Sequence, residues 1–349
     1  MRWDDLYIAG TGVCLPPPIS TATAVEQGWY AQEDAEEDEL AAALVADERS
    51  APEMAVAAGR QALERSGRAP SDVVLTLHAN IYHQGQDFWT PASYVQRFTV
   101  GGNGLAIQIQ QGSNGGMAAL EMAAAYLASA PGRTAALVTT ADKYCLPGFD
   151  RWNSDTGQVY SDGATAVLLS RRAGFARLRA MVSTSDPELE EVCRDTEGFS
   201  AVPHQDGKPL DLRGRKKRYV KDHGYEELLE RLSDGARANV RRTLAAAESD
   251  LDGIARVVLP NLGRTLLEWE FLEPLGIPLE RTVWEWGRHV SHLGPGDQFA
   301  GLDHLVVSGR VHPGDRVLLV GVGIGFNWTS AVVEIESVPA WSGTDRRPI

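Results

Sequence analysis

Uninterrupted aliphatic runs recur along the chain, separated by turn residues. Four of them do not alternate apolar and polar positions: VVLTL at 73–77, AALVTT at 135–140, ARVVLP at 255–260 and RVLLVGV at 316–322. Runs of this kind are typical of strands that are covered on both faces. Segments with apolar residues at helical spacing lie between them, so the pattern predicts an α/β protein with helices on both sides of its sheets.

The same structural unit occurs twice. Residues 54–80 and 235–261 each have the pattern of an amphipathic helix, a turn and a buried strand. The equivalent positions Val73 and Val257 are 184 residues apart, and the matching pair of strands around 137 and 318 gives a spacing of 181. Such similar offsets indicate duplication of one βα module. We therefore expect two halves, residues 1–175 and 176–349, stacked as an α/β/α/β/α sandwich around shared central helices.

Two segments do not belong to the repeat. Residues 31–50 are acidic and rich in alanine, which predicts a solvated helix. Residues 194–224 are polar and interrupted by Gly and Pro, which indicates a surface insertion. This insertion is either a solvated turn or a docking patch for an acidic partner. Its basic run consists of Arg213, Arg215, Lys216, Lys217 and Arg218.

Composition and charge narrow the possible partners. The 349 residues are 43% hydrophobic and 23% charged, as in ordinary soluble proteins. A net charge of −14 disfavours nucleic acid and anionic membranes, and no apolar run approaches the roughly 20 residues that span a bilayer. The N-terminus is acidic where a signal peptide is basic, so we expect a cytoplasmic protein. Cys14, Cys145 and Cys193 have no metal-ligand spacing, so we expect packing roles for them and no metal site.

Ser113 is the strongest candidate for chemistry. Alternating apolar residues at 105–109 predict a strand, the run from Met117 predicts a helix, and Gly-Ser-Asn-Gly-Gly connects them. A hydroxyl at a tight strand-to-helix turn is the arrangement of a nucleophile elbow, where backbone amides and the helix dipole favour negative charge. The alternative is a serine that only caps the helix.

The matching loop of the second half supplies a base and an acid. His292 is followed by Leu-Gly-Pro-Gly-Asp, a loop that can fold back so that Asp297 reaches the imidazole. If the repeat brings this loop opposite Ser113, the three residues complete a Ser-His-Asp triad. The triad arrangement predicts that His292 activates the serine hydroxyl and that Asp297 orients His292.

A glycine-rich turn follows the last long aliphatic run. It contains Ile324 and Gly325 within the sequence GVGIGF. Glycines allow backbone amides to point into a pocket, so this turn and the amide of Ser113 can form an oxyanion hole. The turn does not fit a dinucleotide fingerprint, because neither a following helix nor an acidic residue downstream is evident.

Taken together, these landmarks resemble ketoacyl-ACP synthase III, a family with the thiolase fold. IAGTGVCLPPP resembles its opening strand and turn, TPASYVQRF the segment before the nucleophile strand, and YSDGATAVLL the strand that ends the first half. GRVHPGDRVLLVGVGIGFNWTSAVV is similar to its C-terminal signature, with turn, strand, glycine loop and Phe-x-Trp in order. The resemblance implies the thiolase fold, a homodimer, an acyl group carried on the nucleophile and no bound cofactor.

Three positions depart from that family. Its nucleophilic cysteine falls on Ser113, its catalytic histidine on Asn261, and its catalytic asparagine on or near His292. In the ordinary family, His and Asn hold the enolate that forms when a malonyl group loses carbon dioxide. A Ser/His/Asp set with Asn261 beside it is similar instead to the serine- or cysteine-based acyltransferases and starter-unit enzymes of antibiotic biosynthesis.

The resemblance also bears on the donor. The family's CoA-binding loop is replaced by the acidic segment 31–50, which favours an acyl carrier protein over acyl-CoA as donor. Because carrier proteins are acidic, the basic run and Arg264 are the expected docking surface.

The sequence thus predicts an acyltransferase that moves an acyl group from a carrier-protein thioester, through Ser113, to a small-molecule acceptor. The acceptor would be a hydroxyl or amine of a natural-product intermediate in polyketide or antibiotic biosynthesis. One alternative is a priming ketosynthase, in which Asn261 and His292 hold the enolate. The other is a non-catalytic partner subunit.

Overall fold

The computed structural model describes residues 1–195, 198–202 and 207–343. The strands are β1 (Tyr7–Cys14), β2 (Pro18–Ser20), β3 (Ala42–Leu44), β4 (Val73–Ala79), β5 (Leu105–Ile109), β6 (Ala135–Asp142), β7 (Gly163–Ser170), β8 (Ala176–Ser185), β9 (Arg256–Val258), β10 (Arg316–Gly323) and β11 (Asn327–Ile335). The helices are α1 (Thr21–Glu26), α2 (Gln32–Asp38), α3 (Ala51–Ser66), α4 (Pro91–Phe98), α5 (Gly115–Ala128), α6 (Leu212–His223), α7 (Tyr225–Ala246), α8 (Arg264–Leu267), α9 (Glu273–Leu275), α10 (Trp284–Gly287) and α11 (Asp297–Val307). A π-helical segment, Glu268–Leu272, joins α8 to α9, and 3₁₀ turns occur at Pro70–Asp72, Pro187–Cys193, Leu279–Arg281 and Gly294–Gly296.

The main sheet shows the internal repeat directly. Its strand order is β5-β4-β6-β7-β1-β8-β11-β10-β9. Along the sheet, the strands β8-β11-β10-β9 of the second half mirror the strands β1-β7-β6-β4 of the first. A single bridge between Val257 and Thr282 takes the place of β5. The halves join where β1 pairs with β8 through Tyr7–Arg177 and Ile8–Ala176. Strands β2 and β3 form a separate small ladder.

Helices cover both faces of each half-sheet. In β6, Leu137 faces the cluster around α3, whereas its neighbour Val138 faces the cluster that contains α5 and α11. In β10, Leu318 faces the cluster around α7, and Leu319 faces α5 and α11. Both β6 and β10 therefore bury both faces, which explains why their sequences do not alternate. The predicted five-layer α/β architecture, with α5 and α11 in the middle, is confirmed.

The acidic segment 31–50 differs from the prediction of one solvated helix. Only its first part is helical, as α2, whereas Leu40, Ala43 and Leu44 are buried and partly form β3. Asp38 is also buried, at 5% exposure, and accepts a hydrogen bond from the hydroxyl of Tyr30. Most alanines and leucines of this segment are buried. The segment therefore contributes to the core, which its acidic composition did not indicate.

The predicted insertion 194–224 also has more structure than a turn. Its basic run lies on α6, which is capped by the side chain of Asp211. Residues 196–197 and 203–206 of this segment lie outside the described residues. Of the three cysteines, Cys145 is exposed, so the expectation that all three are packing residues was wrong. Within the described residues, the structure has no helix that is both long and apolar enough to cross a membrane.

Candidate active site

A tight turn between β5 and α5 carries Ser113. Gly112 has a φ of +52°, and a Cβ atom there would lie 2.8 Å from Cγ1 of Ile324, so the turn requires glycine. The N-cap of α5 is Asn114. Ser113 therefore does not cap the helix, and its hydroxyl is available just before the helix N-terminus, where negative charge is favoured.

His292 reaches Ser113 from the second half of the chain. The hydroxyl of Ser113 donates to Nε2 of His292, with 2.8 Å between the two atoms. The backbone N–H of His292 donates to the carbonyl of Val159 at 2.9 Å, and its carbonyl accepts from the N–H of Ser161 at 2.8 Å. The ring of Tyr160 lies edge-on to the imidazole, with 5.1 Å between centroids. His292 is 1% exposed and is held from several sides.

Asp297 begins α11 and completes the relay. The Nδ1–H of His292 donates to Oδ2 of Asp297 at 2.6 Å. The other oxygen, Oδ1, accepts from the backbone N–H of Leu293 at 2.8 Å. A carboxylate on Nδ1 fixes the tautomer in which Nε2 is unprotonated. In that state His292 can take the proton of Ser113, as a general base does in a Ser-His-Asp triad.

Asn261 lies behind the triad and binds its carboxylate. The backbone N–H of Asn261 donates to Oδ2 of Asp297 at 2.9 Å. Its side-chain amide donates to Oδ1 of Asp297 at 3.3 Å and to the carbonyl of Ser291 at 3.1 Å. Asn261 is 2% exposed. The sequence placed Asn261 beside the Ser/His/Asp set or, in the ketosynthase alternative, on the enolate, and in the structure its side-chain amide donates to Asp297 and Ser291.

The glycine-rich turn between β10 and β11 contacts the nucleophile turn. A Cβ atom on Gly323 would lie 2.6 Å from the carbonyl oxygen of Gln111 and 2.7 Å from the backbone nitrogen of Asn114. The backbone nitrogen of Ile324 would lie 3.0 Å from a Cβ on Gly112. Ile324 is 42% exposed, so this turn borders both Ser113 and solvent. Gly325 follows with a φ of +122°, a conformation that favours glycine.

Comparison with known proteins places this arrangement in a family. Models of the 3-oxoacyl-[acyl-carrier-protein] synthase III family match residues 107–187 and, for the C-terminal part, 244–335. The acyltransferase ChlB3, of known structure, is 40% identical, with a TM-score of 0.90 over 97% of this chain and 100% of its own. The chain belongs to the ketoacyl-ACP synthase III-like family of thiolase-fold proteins. Enzymes of this family carry out acyl transfer or condensation.

More distant relatives match most of the chain. The β-ketoacyl-[acyl-carrier-protein] synthase III of Rhizorhabdus wittichii is 28% identical over 80% of this chain and 82% of its own. The structure of 3-oxoacyl-[acyl-carrier-protein] synthase III from Aquifex aeolicus has a TM-score of 0.77 at 20% identity, over 94% of this chain and 99% of its own. The structural similarity to the Aquifex aeolicus protein shows the shared fold.

The basic run of this ketoacyl-ACP synthase III-like chain is largely paired within the protein. On α6, Lys217 is exposed, and Arg218 keeps 42% side-chain exposure beside Asp195. The acidic segment 31–50 supplies one of the partners, so the two segments outside the repeat face each other. The pairs of the run and their N–O distances are Arg213–Asp34 at 2.9 Å, Arg215–Asp195 at 3.6 Å, Lys216–Asp155 at 2.5 Å and Arg218–Asp195 at 3.3 Å. Arg264, the other predicted docking residue, pairs with Glu268 at 3.0 Å.

Lys216 belongs to a polar cluster next to Tyr160. Asp155 is 3% exposed and accepts from Nζ of Lys216 at 2.5 Å, Nε2 of Gln158 at 2.6 Å and the hydroxyl of Tyr160 at 2.9 Å. Desolvation alone would lower the pKa of the Lys216 ammonium, but Asp155, Cys193 and Glu270 together outweigh it and the pKa is raised. Burial raises the pKa of Glu270 to about 7, against an opposing effect of Lys216. This cluster supports the loop that packs against His292.

Sequence reasoning missed two contributors to the site. The sequence indicates only that Asn114 belongs to the Gly-Ser-Asn-Gly-Gly turn, whereas in the structure it is fully buried and bonds to the second half. Tyr160 stands in the sequence only at the start of a strand motif, whereas in the structure its ring contacts His292. For Asn114 a signal was present, because an asparagine directly after a nucleophile has a side chain that must find buried partners. For Tyr160 the contact depends on tertiary structure.

Proposed function

We propose that this protein is an acyltransferase that forms an acyl-Ser113 intermediate from an acyl-carrier-protein thioester and passes the acyl group to a hydroxyl or amine of a natural-product intermediate. The observation that carries the proposal is the hydrogen-bonded relay from Ser113 Oγ through His292 to Asp297, with distances of 2.8 and 2.6 Å. The names of the curated relatives specify a carrier-protein substrate, which supports the proposed donor.

In the first half-reaction, His292 Nε2 takes the proton of Ser113 as Oγ attacks the thioester carbonyl. The tetrahedral intermediate carries its negative charge on the former carbonyl oxygen, which the amides of Ser113 and Ile324 would receive. When the intermediate collapses, the C–S bond breaks, and the departing thiolate takes the proton from the imidazolium. Asp297 stays ionised throughout and stabilises the imidazolium.

In the second half-reaction, the acceptor hydroxyl or amine gives its proton to His292 and attacks the acyl ester. Collapse of this second intermediate breaks the bond to Ser113 Oγ, which regains the proton. The cycle therefore needs no oxidant, reductant or further co-reactant. The acceptor keeps the acyl group as an ester or amide.

The position of Asn261 favours transfer over condensation. A ketosynthase must donate hydrogen bonds to an enolate oxygen when a malonyl donor loses carbon dioxide. The side-chain amide of Asn261 donates to Ser291 and Asp297 instead. An unprotonated Nε2 on His292, which accepts from Ser113, also suits a base better than an enolate donor.

The proposed active form is a homodimer. β5 is the end strand of the main sheet and lies beside the nucleophile turn. Leu105 on β5 is 48% exposed, and Met122 on α5 is 49% exposed. An edge strand flanked by exposed apolar residues favours pairing with a second copy. Light scattering should therefore give twice the mass of the chain, and Leu105→Lys should shift the mass towards that of one chain.

Intact-protein mass spectrometry tests the function. Wild-type protein is incubated with a panel of acyl-carrier-protein thioesters and, in parallel, acyl-CoA thioesters. We expect a mass increase equal to the acyl group, which amine or alcohol acceptors then discharge without release of carbon dioxide. Release of carbon dioxide from a malonyl donor would support the ketosynthase alternative, and no acylation with any donor would support the non-catalytic one.

A further inference from the structure

The two amides proposed to hold the oxyanion come from different halves of the chain. Ser113 lies on the turn between β5 and α5, and Ile324 lies on the turn between β10 and β11. The two turns are more than 200 residues apart along the chain. Because oxyanion stabilisation depends on donors placed in advance, the contacts between the turns determine how well the site works.

Asn114 makes the principal side-chain link between them. Its Nδ2 donates to Oδ1 of Asn327 at 2.6 Å and to Oγ1 of Thr329 at 2.8 Å, both on β11. The same nitrogen lies 3.0 Å from Oε1 of Gln111 in its own turn. Asn114 is 0% exposed, so water does not compete for these hydrogen bonds. One amide group thus binds the nucleophile turn to the strand that follows Ile324.

The orientation of this amide is determined by its surroundings. Reversing it would place Oδ1 against three other oxygens and remove the hydrogen bonds that they accept from Nδ2. In the observed orientation, Oδ1 lies against Gly321, where a Cβ atom would be only 2.6 Å away. Oδ1 can occupy this position only because residue 321 is a glycine and has no side chain.

Hydrogen bonds extend the link in both directions. Nδ2 of Asn327 donates to the carbonyl of Ile324 at 3.3 Å. On the other side, Oγ1 of Thr329 lies 2.7 Å from Oγ of Ser183, which donates to the carboxylate of Glu121 on α5. The network therefore connects the peptide of Ile324 to the helix that follows Ser113.

We infer that Asn114 is the positioning residue of the oxyanion hole, which holds the amides of Ser113 and Ile324 at a fixed separation through Asn327 and Thr329. The inference rests on the proposed function. Asn114 would act by positioning the two amide donors of the oxyanion hole, and it would not contact the substrate. It predicts that loss of the Asn114 amide weakens binding of the tetrahedral intermediate selectively. Binding of the planar thioester should not change.

The test compares two ligands of the full-length protein. One is a trifluoromethyl ketone analogue of the donor, which forms a tetrahedral adduct with Ser113. The other is a thioether analogue, which cannot. In Asn114→Ala we expect the affinity for the ketone and the kcat/KM for acylation to fall together by roughly 10- to 100-fold, somewhat less than removal of an oxyanion donor itself costs. Affinity for the thioether should stay within about twofold.

Asn239→Ala is the matched control. Asn239 is also 0% exposed, and its Nδ2 also lies within hydrogen-bond distance of three oxygens, those of Val182, Thr184 and Trp328. It lies on α7, at the outer face of the second half. This variant should lose stability comparably without losing selectivity for the ketone.

Three results would overturn the inference. One is an equal loss of affinity for both ligands in Asn114→Ala, another is no loss for either, and the third is the same selective loss in Asn239→Ala. If Asn114→Ala does not fold, Thr329→Val removes one acceptor at nearly constant shape and should show a smaller selective loss, of several-fold. Wild-type protein that is not acylated would overturn the proposed function as well, whereas acylated wild type with an unselective Asn114→Ala would overturn this inference alone.

Discussion

The hydroxyl oxygen of Ser113 lies 2.8 Å from Nε2 of His292, although 179 residues separate them in the chain. The duplication accounts for this proximity. The helices α5 and α11 occupy equivalent places in the two halves and pack in the same central core. The turns that precede them therefore meet at one end of the central layer, and each half supplies part of one site.

Ser113→Ala should abolish acylation and leave the fold intact, because the hydroxyl is the proposed acyl carrier and the methyl group fits in its place. Intact mass after incubation with an acyl-carrier-protein thioester measures this. Cys145→Ala removes the exposed thiol and is the control, and it should be acylated like wild type. A mass increase that persists in Ser113→Ala and disappears in Cys145→Ala would contradict the assignment.

His292→Ala should lower turnover by roughly 10³-fold or more, as loss of a triad base does. His289 is three residues away on the same loop and makes no hydrogen bond to Ser113 or Asp297 in the described part of the chain, so His289→Ala is the control. Steady-state kinetics with one donor and one acceptor compares the two variants. Similar modest losses in both would mean that His292 is not the base.

Asp297→Asn should keep the fold but lower turnover by up to about 10⁴-fold, because an amide in place of the carboxylate misorients the imidazole. The control is Asp303→Asn. Asp303 accepts from the hydroxyl of Thr11 at 2.6 Å and from Arg65 at 2.7 Å, so its loss should lower the melting temperature with little effect on turnover. Wild-type activity in Asp297→Asn would refute the triad.

The repeat and the strand-turn-helix pattern made much of this predictable. Spacing alone placed Ser113 at a turn and matched Leu137 with Leu318, and both of these leucines face the outer helix of their half. The five-residue spacing from His292 to Asp297 also allowed their contact to be expected. These features depend on local sequence and on the duplication of one module, which is visible in the sequence.

Features that depend on pairing between remote side chains were not predictable in the same way. The basic residues of α6 appeared exposed because their neighbours in sequence are polar, but Lys216 pairs with Asp155 and Arg213 pairs with Asp34. Likewise, nothing local to Asn261 indicates that its amide binds Asp297. A charge or an amide shows in sequence what it can bind but not which partner the fold brings to it.

Lys216 and Lys217, adjacent on α6, should therefore behave differently. Lys217 is exposed, so Lys217→Glu should raise the KM for a carrier-bound donor and flatten its salt dependence, since docking of an acidic partner through surface charge is screened by salt. Turnover with a small thioester mimic should not change. If the KM values for both donors stay at the wild-type value, α6 is not the docking surface.

Lys216→Met should instead destabilise the protein, by roughly 3 kcal/mol, because it leaves the buried carboxylate of Asp155 without its cation. Denaturant unfolding measures the free energy of unfolding of this variant beside that of Lys217→Met. The second variant should match wild type. Equal stabilities for the two would show that the Lys216–Asp155 pair contributes nothing to folding.

Glu270→Gln should change how stability depends on pH. Burial raises the pKa of Glu270 to about 7 in the folded protein, whereas an unfolded glutamate titrates near pH 4.5. Between these values the folded state binds more protons than the unfolded state, so wild-type stability falls as pH rises from about 4.5 to about 7 and then levels off. Glutamine carries no charge to desolvate. The melting temperature of Glu270→Gln minus that of wild type should therefore increase from pH 5 to pH 8, by the equivalent of about 1–3 kcal/mol, since the side chain keeps some contact with solvent.

Glu273→Gln, at an exposed position three residues later, is the control and should give a flat difference over the same range. If the Glu270→Gln and wild-type curves run parallel from pH 5 to pH 8, Glu270 is ionised in the folded protein at pH 5, and the cluster around Lys216 stabilises its charge more than burial opposes it.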